Sequence, residues 1–153
     1  ATLELGERPL PMALMELAAR ARELFQVRCE VKAAPDLPLL EPGTVHQLCK
    51  IAQEALTNAI KHGRATRIRI SLSQSGQKLT LRVENNGLPF PDLSGRTGGM
   101  GLRIMNYRAH LLGGSVKITG LKAGGTSLTC IVPVERAGES PRQTFDMPPP
   151  ELE

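Results

Sequence analysis

Tryptophan is absent, tyrosine occurs once and phenylalanine three times, so aromatic residues make up only 3% of the chain. Platforms that stack the bases of single-stranded nucleic acid are built from aromatic side chains, and this composition leaves none. The core must instead be aliphatic, drawn from Leu, Ile, Val and Ala. Cysteine is also scarce. Cys29, Cys49 and Cys130 are far apart, with no CxxC pair. An odd, scattered set argues against a disulfide framework or a zinc site and fits a reducing, cytoplasmic setting. Each is expected to be a small buried hydrophobe. No apolar run approaches the ~20 residues that cross a bilayer. No signal peptide is visible, so membrane contact by this segment is not expected. Positive charge is in excess, at +4 with pI near 9.3, yet no dense basic block occurs. Arg64, Arg67 and Arg69 alternate with apolar residues as on the exposed side of a strand, and a nucleic-acid partner is not expected.

What is present is enough for one domain. The 153 residues, 41% hydrophobic and 22% charged, can bury a core of ordinary size. Residues 9 to 26 read as an amphipathic helix with Pro11 in its first turn. Residues 27 to 33 alternate as a half-buried strand. Pro35, Pro38 and Pro42 punctuate a loop before a second helix, from about Pro42 to His62, ended by Gly63. Strands at 66 to 73 and 78 to 84 form a hairpin turning at Gly76. A Gly- and Pro-dense loop fills 85 to 100. A third helix at 101 to 112 stops at Gly113-Gly114. Strands at 115 to 119 and 126 to 133 close the domain. From Glu135 onward almost nothing is apolar, so 135–153 is expected to be a disordered tail beyond a domain at 1–134. The chain opens without Met and ends in a Pro-rich stretch, as a segment cut from a longer protein would. The expected fold class is α+β: a two-layer sandwich, with a mixed, mostly antiparallel sheet of about five strands covered on one face by three helices.

The most informative run is Gln53-Glu54-Ala55-Leu56-Thr57-Asn58-Ala59-Ile60-Lys61-His62. On a helix, Glu54, Asn58 and Lys61 fall at i, i+4 and i+7 and share one face. Val45, Leu48, Ala52, Ala55 and Ala59 form a separate apolar stripe, about 100° of rotation per residue setting the two apart. One side is buried while another presents a carboxylate, a carboxamide and an ammonium. The first two suit a hard divalent cation or a positioned water. The third suits phosphate.

Three glycine clusters follow. Asn85-Asn86-Gly87 ends a strand. Gly98-Gly99-Met100-Gly101-Leu102 leads into a helix. Gly124-Gly125-Thr126 enters the last strand. Glycine lets backbone approach a ligand closely. Gly99 and Gly101 ahead of a helix leave free N–H groups at its positive end, which favours phosphate. A mildly basic domain holding a polyanionic nucleotide also accounts for the net charge.

With these motifs in this order, residues 45 to 133 resemble the ATP-binding catalytic domain of bacterial two-component sensor histidine kinases. The branch is the nitrate-response type within the Bergerat-fold ATPases. The decamer at 53–62 resembles the family's N box. Gly99 to Ala109, through Gly113-Gly114, resembles its second glycine box and the helix after it. Gly125-Thr126, before a strand ending at Pro133, resembles its last box. The resemblance implies that Asn58 holds Mg²⁺ bridging the ATP phosphates, with Glu54 positioning metal-bound water or helping to activate the attacking group. It implies that Lys61 and His62 meet phosphate oxygens. Gly99, Gly101 and the backbone at Leu102 would cradle the phosphates under a short lid. Asn85, Gly87 and Thr126 would lie at the adenine end. The implied activity is transfer of the ATP γ-phosphoryl group to a His on a separate dimerisation domain, and from there to a response regulator. Positioning and charge neutralisation are most of what such chemistry needs.

Two departures qualify this. Asn85 stands where the family usually has an aspartate that accepts from the adenine amino group; its carboxamide accepts without charge. Pro89 stands in place of a second glycine and lacks an N–H. In addition, His46, His62 and His110 all fall in elements of the domain itself, and no spare helical hairpin carries an acceptor. The isolated domain is expected to be monomeric and not to phosphorylate itself. Two alternatives stay open: a degenerate, non-catalytic regulatory member of the same fold, and a serine kinase of the anti-sigma type.

Overall fold

The structure is a computed structural model that describes residues 8–88 and 99–134. Pro89, the proposed lid and the proposed tail at 135–153 lie outside the described residues.

The chain runs α1 (Leu10–Phe25), β1 (Arg28–Ala33), α2 (Pro42–Thr57), a five-residue π turn (Asn58–His62), β2 (Arg67–Ser75), β3 (Lys78–Asn85), α3 (Gly99–Leu111), β4 (Ser115–Gly120) and β5 (Thr126–Pro133). α1 carries Pro11 in its first turn, α2 begins at Pro42 and α3 at Gly99, with no side-chain cap on α1 or α2. Pro fits the first turn because its missing N–H would have no intrahelical partner there. Gln26 ends α1 in the left-handed region, φ 55°, and donates its N–H to Arg22 O. That cap turns the chain directly into β1.

The five strands form one sheet in the order β1-β2-β3-β5-β4. β1 and β2 are parallel, joined through α2, and the other three pairings are antiparallel. β5 therefore inserts between β3 and β4, which brings the last glycine box beside the first. Alternation along each strand puts one face against the helices. Ile68, Ile70, Leu72, Leu79, Leu81, Val83, Leu128, Cys130 and Val132 are buried. Opposite them, α1 packs on β1, α2 lies between α1 and α3 while crossing β3, and α3 also touches β4 and β5. Val45, Leu48, Ala52, Ala55 and Ala59, the apolar stripe of α2, are all buried. The guanidinium of Arg108 donates to Gln47 Oε1 at 2.8 Å, tying α3 to α2. The expected two-layer α+β sandwich with three helices on one face is therefore present.

Two details depart from a reading by periodicity. α3 starts at Gly99, inside the glycine cluster and not after it. The end of α2 widens into a π turn, with Gly63 N–H donating to Asn58 O at 3.0 Å, an i to i+5 bond. The residues after Asn58 are thereby rotated out of the α register.

All three cysteines are free and buried. Burial pushes the Cys29 and Cys49 thiols up from 9.0 to about 11, and Cys130 to about 12. Arg22 partly offsets this at Cys29, and Arg8 does so at Cys49. In the unfolded chain the thiols lose their protons near the ordinary value, while the folded chain keeps them. Stability from the neutral buried thiols is thus whole below pH about 9 and declines as pH rises toward about 11. The urea midpoint should fall between pH about 8 and about 10.5, and a thiol reagent at pH about 8 should label none of the three cysteines until the chain unfolds. Rapid labelling of the native chain would contradict this burial.

Candidate functional site

The site forms where the last turns of α2 meet the start of α3. Glu54 and Asn58 are one α-turn apart and project to the same side. Glu54 is half-buried, and Asn58, at 8% exposure, is one of three buried polar residues among those described. Gly101 lies directly over both. A Cβ built on Gly101 would sit 2.6 Å from Glu54 Oε2 and 3.7 Å from Asn58 Nδ2. The absence of that one carbon lets the glycine backbone come down onto the carboxylate and carboxamide. Asn58 is also the first residue of the π turn, and its carbonyl holds the Gly63 N–H. Such turns insert one residue into a helix and are frequent at functional sites.

The other residues singled out by the sequence lie on β3 and β5. Asn85 and Thr126 are register partners across these strands. Both belong to the inward-facing set of their strands, with Val83 and Leu128. Thr126 is buried, and its Oγ1 has no hydrogen-bond partner among the described residues. A buried hydroxyl without a partner is costly and is expected to meet a polar group of a ligand or a water. Gly125, at φ +102°, lets the β5 backbone pass so close that a Cβ there would fall 1.9 Å from Asn85 O.

Asn85 Oδ1 accepts from Gly87 N–H at 2.7 Å. One lone pair of the carboxamide oxygen is therefore used to shape the turn. Asn86 is the residue that motif reading passed over. Its Oδ1 accepts from the N–H groups of Thr66 and Arg67, at 3.0 and 2.9 Å, and its Nδ2 donates to Thr66 Oγ1. The local turn signal of Asn ahead of Gly belongs to Asn85, and no spacing in the chain pointed to the partners of Asn86. Behind it, Leu88 N–H donates to Gly63 O at 2.7 Å, and a Cβ on Gly87 would lie 2.4 Å from that same oxygen. The first glycine box is thus locked to the end of the Asn58 turn.

The remaining sequence candidates are placed as follows. Lys61 and His62 are exposed on the π turn. Lys61 flanks a groove between α1 and α2, beside Arg20, Phe25 and Ile60. Gly99 and Gly101 belong to the first turn of α3, and Leu102 packs against the core. His46 is half-buried, while His110 is exposed with Nδ1 3.2 Å from Asn106 O. The structure therefore unites Glu54, Asn58 and Gly101 at one end and Asn85, Gly87 and Thr126 at the other.

Residues 43–136 match the family described as histidine kinase-, DNA gyrase B- and HSP90-like ATPases. The chain belongs to this family. As a member of this ATPase family it is an ATP-binding domain. NarX, the nitrate/nitrite sensor protein of Escherichia coli K12, is 35% identical over 104 residues, which are 68% of this chain and 17% of NarX. LiaS, a sensor histidine kinase of Bacillus subtilis, is 30% identical over 107 residues, 69% of this chain and 30% of LiaS. The chain thus spans under a third of either relative. The histidine kinase domain of the blue-light activated histidine kinase EL346 from Erythrobacter litoralis superposes with a TM-score of 0.71 at 23% identity, over 88% of this chain and 66% of that one. At that identity the likeness concerns the fold. Among the described residues no helix is long and apolar enough to cross a membrane.

The glycines separate stability from binding. Gly101→Ala meets the far end of a flexible Glu54 side chain, which can swing away, so its melting temperature should stay within a few degrees of the parent. ATP affinity should nevertheless fall about tenfold or more, because the added carbon displaces Glu54 and lifts the α3 backbone. Gly87→Ala meets backbone and should lower the melting temperature itself. Equal ATP binding by Gly101→Ala and the parent, measured by calorimetry, would disprove the cradle.

Proposed function

We propose that this domain is the catalytic part of a two-component sensor histidine kinase and transfers the γ-phosphoryl group of ATP to a histidine on a separate helical dimerisation domain. That histidine would then pass the group to an aspartate of a response regulator. The observation that carries the reading is the seating of Gly101 on Glu54 and Asn58. The relatives NarX and LiaS, named as sensors, support the same reading.

The residues present fit Mg²⁺. A carboxylate and a carboxamide oxygen are hard ligands, and Mg²⁺ needs only one or two from protein when phosphates and waters complete its shell. Asn58 would hold the ion, with Glu54 beside it orienting water or the attacking group. Bound there, Mg²⁺ supplies neutralisation of phosphate charge. The N–H groups of Gly99, Gly101 and Leu102 open the first turn of α3, where unpaired donors and the helix dipole favour phosphate oxygens. Lys61 and His62 are exposed on the π turn, Lys61 beside the α1–α2 groove, and would have to reach round to meet the outer phosphates. Thr126 and the Asn85–Gly87 turn receive the adenine, which accounts for the unpartnered Thr126 hydroxyl. The domain is taken as residues 1–134, a cytoplasmic unit, with 135–153 as a tail.

One observation favours a second reading. Asn85 Oδ1 is already held by Gly87 N–H and carries no charge. A weakened adenine anchor would suit a regulatory member of the family that no longer turns ATP over.

In a protein that restores the acceptor helices, Asn58→Ala should lower phosphotransfer by about a hundredfold or more. The product on the parent protein should be acid-labile, as phosphohistidine is. Undiminished transfer by Asn58→Ala refutes the metal-holding role. An acid-stable phosphate would point to the serine-kinase alternative, and no calorimetric signal at millimolar Mg–ATP to the regulatory one.

A further inference from the structure

An open cavity of about 780 Å³ lies at one end of the sheet, and neither Glu54, Asn58 nor Gly101 lines it. It wraps the ends of β1, β2 and β3, lined by Cys29, Ile68 and Asn85 from the helix side and by Arg28, Arg67 and Glu84 from the uncovered side, with the β4–β5 turn at Leu121 to Gly124 as a further wall. Its volume falls in the range of small-molecule sites.

Two rows of side chains cross this face side by side. In one, Glu30, Arg69 and Glu84 are successive register partners, and Arg69 Nε donates to Glu30 Oε1 at 2.8 Å. That row holds two carboxylates to one guanidinium, and only the Glu30–Arg69 pair is joined. In the next, Arg28 is the register partner of Arg67, and Asn86 follows on β3, its N–H donating to Arg67 O at 3.2 Å. No acid stands in this row. Among the described residues neither the Arg28 nor the Arg67 guanidinium has a hydrogen bond or ion pair. Like charges directly opposite on paired strands are destabilising. The fourth arginine at the cavity, Arg22, donates to Cys29 O at 2.7 Å. Two uncommitted guanidiniums, one strand spacing apart, form a fork that fits the oxygens of a phosphate group.

The geometry points to a second anion site here, which takes the phosphate or diphosphate of a small organic phosphate between Arg28 and Arg67. The cavity is much larger than one phosphate. The Glu84 carboxylate, on the adjoining row, accepts from hydroxyl groups of the organic body. The arginine pair is separate from Glu54, Asn58 and Gly101, although Asn85 borders both places, and the site stands whether or not the kinase reading holds. It adjoins the adenine end at the Asn85–Asn86 turn, where Arg67 N–H donates to Asn86 Oδ1 at 2.9 Å, and at Gly124.

The test is calorimetric titration of the full chain with inorganic pyrophosphate at low salt, followed by amide NMR. Asn58→Ala is titrated in parallel, to remove binding at the nucleotide cleft. Binding should persist in Asn58→Ala, with shifts at Arg28, Arg67, Asn86 and Gly124. Arg28→Gln/Arg67→Gln should weaken it about tenfold or more, without lowering the melting temperature, since removing a like-charge pair does not cost stability. Ribose 5-phosphate should bind more tightly than inorganic phosphate. No binding up to about 10 mM pyrophosphate would overturn the site, as would unchanged affinity in the arginine double variant or shifts confined to residues 54–63 and 99–103. Equal affinity for ribose 5-phosphate and phosphate would overturn the organic-body part.

Discussion

Backbone packed on backbone is what the rest of this molecule depends on. Gly63 closes the Asn58 turn, and its carbonyl receives Leu88 N–H while leaving no room for a side chain on Gly87. This contact joins the carboxyl end of α2 to the end of β3. The turn that begins at Asn58 is thereby fixed against the turn that follows Asn85. Proximity of this kind supplies much of what phosphoryl transfer asks of a protein, because the chemistry rests on positioned charge and not on a reactive side chain.

The same logic explains the division of labour between the two faces of the sheet. Aliphatic residues point to the helices and leave no polar partner in the core, so the cleft's polar groups sit where that packing ends. Asn58 and Thr126 are buried at its margin, one against the glycine of α3 and the other with its hydroxyl unpaired. The uncovered face carries the arginines. One row carries two carboxylates to a single arginine, and the next carries two arginines and no acid.

Much of this was legible in the chain. The period-2 alternation of β2 and β3, the apolar stripe of α2 and the glycine stops at Gly63 and Gly113 are local signals, and the elements formed where they indicated. The pairing of a Glu and an Asn one helical turn apart is likewise local, and so was the chemistry it suggested. The π turn was not legible, because helical periodicity assumes 3.6 residues per turn and the extra residue is set by what Asn58 O and Gly63 must reach. Asn86 was passed over for a related reason: its three hydrogen bonds run to Thr66 and Arg67, about twenty positions earlier in the chain, and no spacing rule links them.

Sequence alone, then, determined the element types, the inward faces and the donor groups, since each follows from side-chain period and chemistry within a dozen residues. Tertiary structure alone decided that β5 runs beside β3, that Gly101 rests on Glu54 and that Arg28 stands beside Arg67. These are contacts between distant segments, fixed by strand order and backbone clearance. A linear pattern carries neither quantity.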